Sequence, residues 1–150
     1  MHSLFDPKQN QDILNRIDML MPISLSEWGV MTVSQMMEHC QMPLMVVYGT
    51  KKLKVNWLVK LFFSRSAKKM FTGEKKFSNS LPTAKEFKIT YEPNFDTAKE
   101  GLKELVSKFS RDGHAGIVVT SHPLFGHMTY EQIDSAQWKH LDHHLRQFGV

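Results

Sequence analysis

The stretch TYEQIDSAQWKHLDHHLRQFGV, residues 129–150, decides how the chain is read. Thr129 followed three residues later by Gln132 is a capping box, in which each side chain satisfies a backbone N–H that the first helical turn leaves unpaired. Ile133, Trp138, Leu141, Leu145 and Phe148 then recur at helical spacing, so a helix is predicted from Tyr130 to about Phe148. The same segment carries His140, His143 and His144. Residues i and i+4 lie on one helix face with Cβ atoms about 5–6 Å apart, and a zinc–imidazole bond is about 2.0–2.1 Å long. His140 and His144 therefore meet the spacing needed to share an ion. His143 is turned about 100° from His144 and does not join that face easily.

The pair alone is a short motif. Eight histidines in 150 residues place about 0.4 such pairs in a chain by chance. The competing reading is a solvated helix C-terminus, where the macrodipole favours His. A third ligand on another helix strengthens the metal reading, and SQMMEHC, residues 34–40, offers His39. By itself His39 reads as a hydrogen-bonded core residue, and the adjacent Cys40 as packing. His122 and His127 bracket the turn HPLFGH and either line a pocket or sit in a loop.

Working outward, Asp6-Pro7 is a helix start, because Asp caps the free N–H groups and Pro has none to satisfy. Ile13, Leu14, Ile17 and Leu20 continue that helix, and Pro22 closes it. Thr32 and Gln35 form a second capping box, opening a helix towards Tyr48-Gly49 with Val33, Met36, Cys40, Leu44 and Val47 as its apolar stripe. Pro43 within it is predicted to kink or divide the helix. Residues 51–71 read as a third helix with basic ends. Residues 72–95 read as a long loop with a short extended piece at FKITY. Asp96-Thr97 caps a fourth helix that buries Leu102, Leu105, Val106 and Phe109 and stops at Arg111-Asp112-Gly113. With strands nearly absent and no repeat or linker, the expectation is a single all-α domain over residues 1–150, arranged as an antiparallel bundle.

Composition agrees. Hydrophobic residues are 41% and charged residues 23%, ordinary for a globular chain long enough to bury a core without disulfides or a structural metal. The single cysteine excludes an intrachain disulfide and fits a reducing cytoplasm. MHSLFDPKQNQD lacks the basic and apolar regions of a signal peptide, and NWLVKLFF is too short to span a bilayer, so no membrane span is expected. A net charge of +4 does not by itself imply nucleic acid, and no nucleic-acid partner is expected. Nine of the residues from Lys51 to Lys76 are Lys or Arg, against one acid, Glu74, with Trp57, Leu58, Leu61, Phe62 and Phe63 interleaved. A membrane-surface or nucleic-acid patch is one reading; the favoured one packs the apolar residues inward and solvates the lysines.

Three motifs together, TVSQMMEHCQ, HPLFGHMT and KHLDHHLRQFG, resemble the DinB/YfiT-like superfamily of metalloenzymes, and more narrowly a branch known only as a domain of unknown function. The resemblance covers most of the chain. It implies a DinB-like antiparallel four-helix bundle, here with an additional short helix or long loop. It also implies a divalent metal held by His39, His140 and His144. Adjacent Arg146-Gln147 stand where that pattern often has an intervening Gly. Zn, Ni, Fe and Mn all suit nitrogen and water ligation, so the ion is not distinguished. Three neutral imidazoles leave a coordination position for water or substrate. Characterised relatives include thiol S-transferases and a thiol-dependent isomerase that use low-molecular-weight thiols, so the resemblance implies a small-molecule substrate, with such a thiol as one choice, and a homodimer as one assembly. Metal-dependent hydrolysis is chemically equivalent, and a non-catalytic, stress-associated bundle that binds metal or a small ligand is the alternative. No catalytic residue is assigned; His122, His127 and His143 are candidates for the pocket or for support of the ligands.

Overall fold

The computed structural model describes residues 2–150 apart from 56, 74, 80 and 82, and for 58–60 and 63 the backbone alone. It is mostly helical. The helices are α1 (Pro7–Met19), α2 (Val33–Val47), α3 (Trp57–Thr72), α4 (Phe95–Asp112) and α5 (Tyr130–Gln147). Short 3-10 turns occupy Lys85–Phe87 and Gly113–Gly116. A two-residue antiparallel hairpin pairs β1 (Ser121–His122) with β2 (Gly126–His127), a small departure from the all-α expectation.

The helix starts follow from their caps. Asp6 accepts from the Gln9 N–H, with Pro7 at the first helical position. Both expected capping boxes form, Thr32 with Gln35 and Thr129 with Gln132. α4 starts one residue before the expected cap. Asn94, not Asp96, accepts from the Thr97 N–H, because a short amide oxygen serves as well as a carboxylate at that position. The helix ends at Gly113, whose φ of 56° is a left-handed value that glycine adopts without strain.

Of the two outcomes expected at Pro43 one is excluded, and α3 starts later than expected. Pro43 does not divide α2, which runs unbroken from Val33 to Val47. The N–H it lacks is the one that would have reached the carbonyl of His39, four residues earlier. α3 starts at Trp57 and not near Lys51. The N–H groups of Thr50 and Lys51 both donate to the Met45 carbonyl, closing the end of α2 and holding that stretch out of a new helix. In FKITY the backbone at Lys88 is extended but no strand pairing forms. Instead the Tyr91 carbonyl accepts from Gln35, the Tyr91 hydroxyl donates to Glu38, and Thr32 donates to Glu92 at 2.8 Å, so this segment lies along α2.

α2 packs against α4 and α5, α1 against both as well, and α3 against α5. The core holds Leu4, Ile17, Met36, Leu44, Leu102 and Phe109, all fully buried. The favoured reading of the basic segment does not hold for three of its apolar residues. Trp57, Leu61 and Phe62 are 69%, 66% and 71% exposed. Glu74 and the side chains of Leu58 and Phe63 lie outside the described residues. No described helix is long and apolar enough to cross a membrane.

Candidate metal centre

α2 and α5 meet with three histidines on their facing sides. His39 projects from α2; His140 and His144 stand one turn apart on α5. All three are buried. One nitrogen from each lies within 4.8 Å of the other two. His39 Nε2 and His140 Nε2 are 3.1 Å apart. Two nitrogens that each hold one zinc-sized ion at about 2.0–2.1 Å stand roughly 2.9–3.4 Å apart for angles between right-angled and tetrahedral. The observed separation falls inside that window.

Hydrogen bonds set the tautomers. His39 Nδ1 is 3.0 Å from the Phe87 carbonyl, and His144 Nδ1 is 2.8 Å from Gln147 Oε1. Both contacts require Nδ1–H as the donor, so each neutral ring turns an Nε2 lone pair towards the shared centre. His140 carries one proton. That proton satisfies at most one of the two facing lone pairs, whereas a single cation satisfies all three rings. His140 Nδ1 is buried without a partner.

Burial keeps the rings neutral, as ligation requires. His140 is held well below the usual imidazole range, first by burial and then by His144, His39 and His143. Burial lowers His144 to about 3, against an opposing hydrogen bond from Gln147. His39 is lowered by burial and raised in part by Phe87. The last turn of α5 is tied down at several points. Gln147 donates to the Trp28 carbonyl at 2.6 Å, its own carbonyl accepts from the Glu27 N–H, and Asp142 pairs with Arg16 and Arg146 at 3.0 and 2.9 Å.

The three rings open onto a cavity of about 850 Å³, a size typical of small-molecule sites. Its walls are mainly apolar, with Phe71, Phe77, Phe87, Phe125 and Met128 among them.

A model of the family described as Protein of unknown function (DUF1569) matches residues 5–149. The chain belongs to this family. No curated protein and no solved structure matches the chain. The expectation of a family of unknown function is met by this match, which shows no DinB/YfiT relationship.

Within this DUF1569 chain, the structure brings together His39, His140 and His144. His143 and His122 are buried and line the same cavity. His143 stands beside His144, ring centroids 5.0 Å apart, and in contact with Trp28 and Phe77. The solvated-terminus reading fails for this helix end, because its histidines are covered. Of the two readings of His127, the pocket one is not met: it is exposed at the end of the hairpin and is not among the residues lining the cavity, and its carbonyl accepts from Lys68. Cys40 is packing, as expected; it touches Met36, and burial pushes its thiol far up.

Sequence reasoning missed two participants. The Phe87 carbonyl is a backbone group from a distant turn and carries no sequence signal. Gln137 is buried against the cavity. Its signal was available, because it lies three residues before His140 and seven before His144, on their face.

Proposed function

We propose that this protein is a metal-dependent enzyme in which His39, His140 and His144 hold one divalent ion at the floor of the cavity. The carrying observation is the convergence of three neutral imidazoles, two of them fixed by carbonyl acceptors behind them, beside a space large enough for a small molecule. When bound, the ion supplies Lewis acidity, which makes a coordinated thiol or water a nucleophile at neutral pH. The chain's own contribution is orientation and exclusion of solvent. Phe87 and Gln147 aim two rings, the apolar walls keep the dielectric low, and His122 and His143 stand as two further buried titratable groups beside the substrate space.

The fold reading that accompanies this is a DinB-like four-helix bundle of α1, α2, α4 and α5, supported by the packing of α2 and α1 against both α4 and α5. The resemblance favours transfer to or from a low-molecular-weight thiol. Hydrolysis by activated water uses the same residues. The test is turnover by metal-loaded protein of a thiol with an electrophilic acceptor, beside ester and amide hydrolysis. Activity that requires the ion and is lost in His140→Ala supports the enzyme reading. A folded, metal-loaded protein inert in both assays supports the non-catalytic alternative.

A further inference from the structure

Among the described residues, His122 is the one buried histidine on the cavity wall that belongs to neither α2 nor α5. It sits at the end of β1, and the turn that follows folds back on it. The N–H groups of Leu124 and Phe125 both donate to His122 Nδ1, at 3.2 and 3.3 Å. An Nδ1 that accepts two hydrogen bonds carries no proton, so the proton of the neutral ring is on Nε2. Phe125 stacks on the ring at 4.4 Å and 15°, fixing its plane. The side chain is only 7% exposed and lines the cavity. Among the described residues no protein group accepts from Nε2–H. Burial lowers the ring to about 4, so it stays a neutral donor at pH 7.

The rest of the wall limits what this donor meets. Apart from histidines, Lys88 is the one ionisable side chain among the described residues lining the cavity, and it is exposed. Apart from an ion held at the three ligating rings, a charged ligand group would meet no buried counter-charge, which is costly. A neutral oxygen acceptor at the end of an apolar body would satisfy the donor and the walls together.

We propose that the cavity takes a neutral, mainly apolar small molecule carrying a carbonyl-type oxygen, and that His122 holds that oxygen through Nε2–H. This goes beyond the metal reading and does not depend on it. Asn is the informative substitution, because its side-chain oxygen takes the place of Nδ1 in the turn while its amide nitrogen falls near the ring's Cδ2 position and does not reach as far as Nε2–H.

The experiment is displacement of Nile red from the full chain by three probes of similar length: decan-2-one, undecane and decanoate. It is run on chelator-treated and on zinc-loaded protein. Decan-2-one should displace the dye at about 3- to 10-fold lower concentration than undecane, the range expected of one hydrogen bond, and on chelator-treated protein decanoate should be weakest. His122→Asn, with its helix content unchanged, should still bind the dye but lose the preference for the ketone over the hydrocarbon. Three results overturn the proposal: decanoate competing as well as the ketone on chelator-treated protein, a ketone preference that survives His122→Asn there, or no binding of dye or ketone by folded protein. A preference that appears with zinc alone and ignores His122→Asn assigns the oxygen to the ion instead. Loss of zinc binding with the ketone preference intact defeats the metal reading and leaves this one standing.

Discussion

Helices α3 and α5 look alike as strings of letters and behave in opposite ways. Both mix aromatic and aliphatic residues with basic ones. In α5 the polar residues Asp134, Gln137, Lys139, His140, His143, His144 and Gln147 are all buried. In α3 the large apolar residues Trp57, Leu61 and Phe62 are exposed. Burying a polar group costs free energy unless it is partnered, so a helix that buries seven is held to that arrangement by specific contacts. Several of those contacts are visible: Asp134 with Ser3 and the Leu4 N–H, Lys139 with the Met70 and Gly73 carbonyls, His144 with Gln147, and Gln147 with Trp28. The lesson is that function is best sought where polarity is hidden, not where hydrophobicity is displayed.

The contrast breaks most visibly in stability. Leu141 is fully buried on α5, and Leu141→Ala should cost about 2–5 kcal/mol in urea unfolding, as large-to-small core changes do. An ion bound to the folded state alone stabilises it by about 2.7 kcal/mol at a hundredfold excess over Kd. Zinc should therefore raise the melting temperature of the parent and leave His144→Ala unmoved; an equal rise in both proteins would remove α5 from the metal account.

The buried imidazoles also predict a pH dependence. His122 is lowered to about 4, against an unfolded value near 6.5. Between those values the unfolded chain binds the extra proton, so stability is full above about pH 6.5 and falls as pH drops towards 4. Chelator-treated protein should lose about 1–2 kcal/mol from this residue between pH 7 and 5, and His122→Asn should flatten that part of the slope. A smaller effect is expected at Gln147. Removing the acceptor that orients His144 should weaken metal affinity by about tenfold, read by competition with a chelating dye. Smallest of all, Phe62→Ser on the exposed face of α3 should change stability by no more than about 0.5 kcal/mol. A large loss there would mean that α3 is covered in solution and would erase the contrast.

Legibility in the sequence followed the same division. The two capping boxes, the Asp6-Pro7 start and the α5 periodicity are local signals, and the helices they announce form where expected. The pairing of His39 with His140 and His144 was not derivable from periodicity, because it depends on how α2 and α5 pack. It entered through resemblance, and the structure places the rings together. Three features had no local signal at all. The turn that ends α2 is closed by the Met45 carbonyl, His39 is supported by a carbonyl in a distant turn, and the tautomer of His122 is set by two backbone N–H groups. Each depends on backbone atoms, which every residue supplies identically. The outward face of α3 was misread for a different reason: helical amphipathicity names the apolar face but does not guarantee that something packs on it.

The central claim is that α2 and α5 together hold one ion. Elemental analysis of protein purified without a histidine tag, beside the His140→Ala/His144→Ala double variant, tests it most directly. The account predicts about one equivalent of a divalent metal in the parent, as purified or after Zn, Ni or Mn is added, and none in a double variant of unchanged helix content. A parent that takes up no metal under any of these conditions, or a folded double variant that binds as much as the parent, would contradict it.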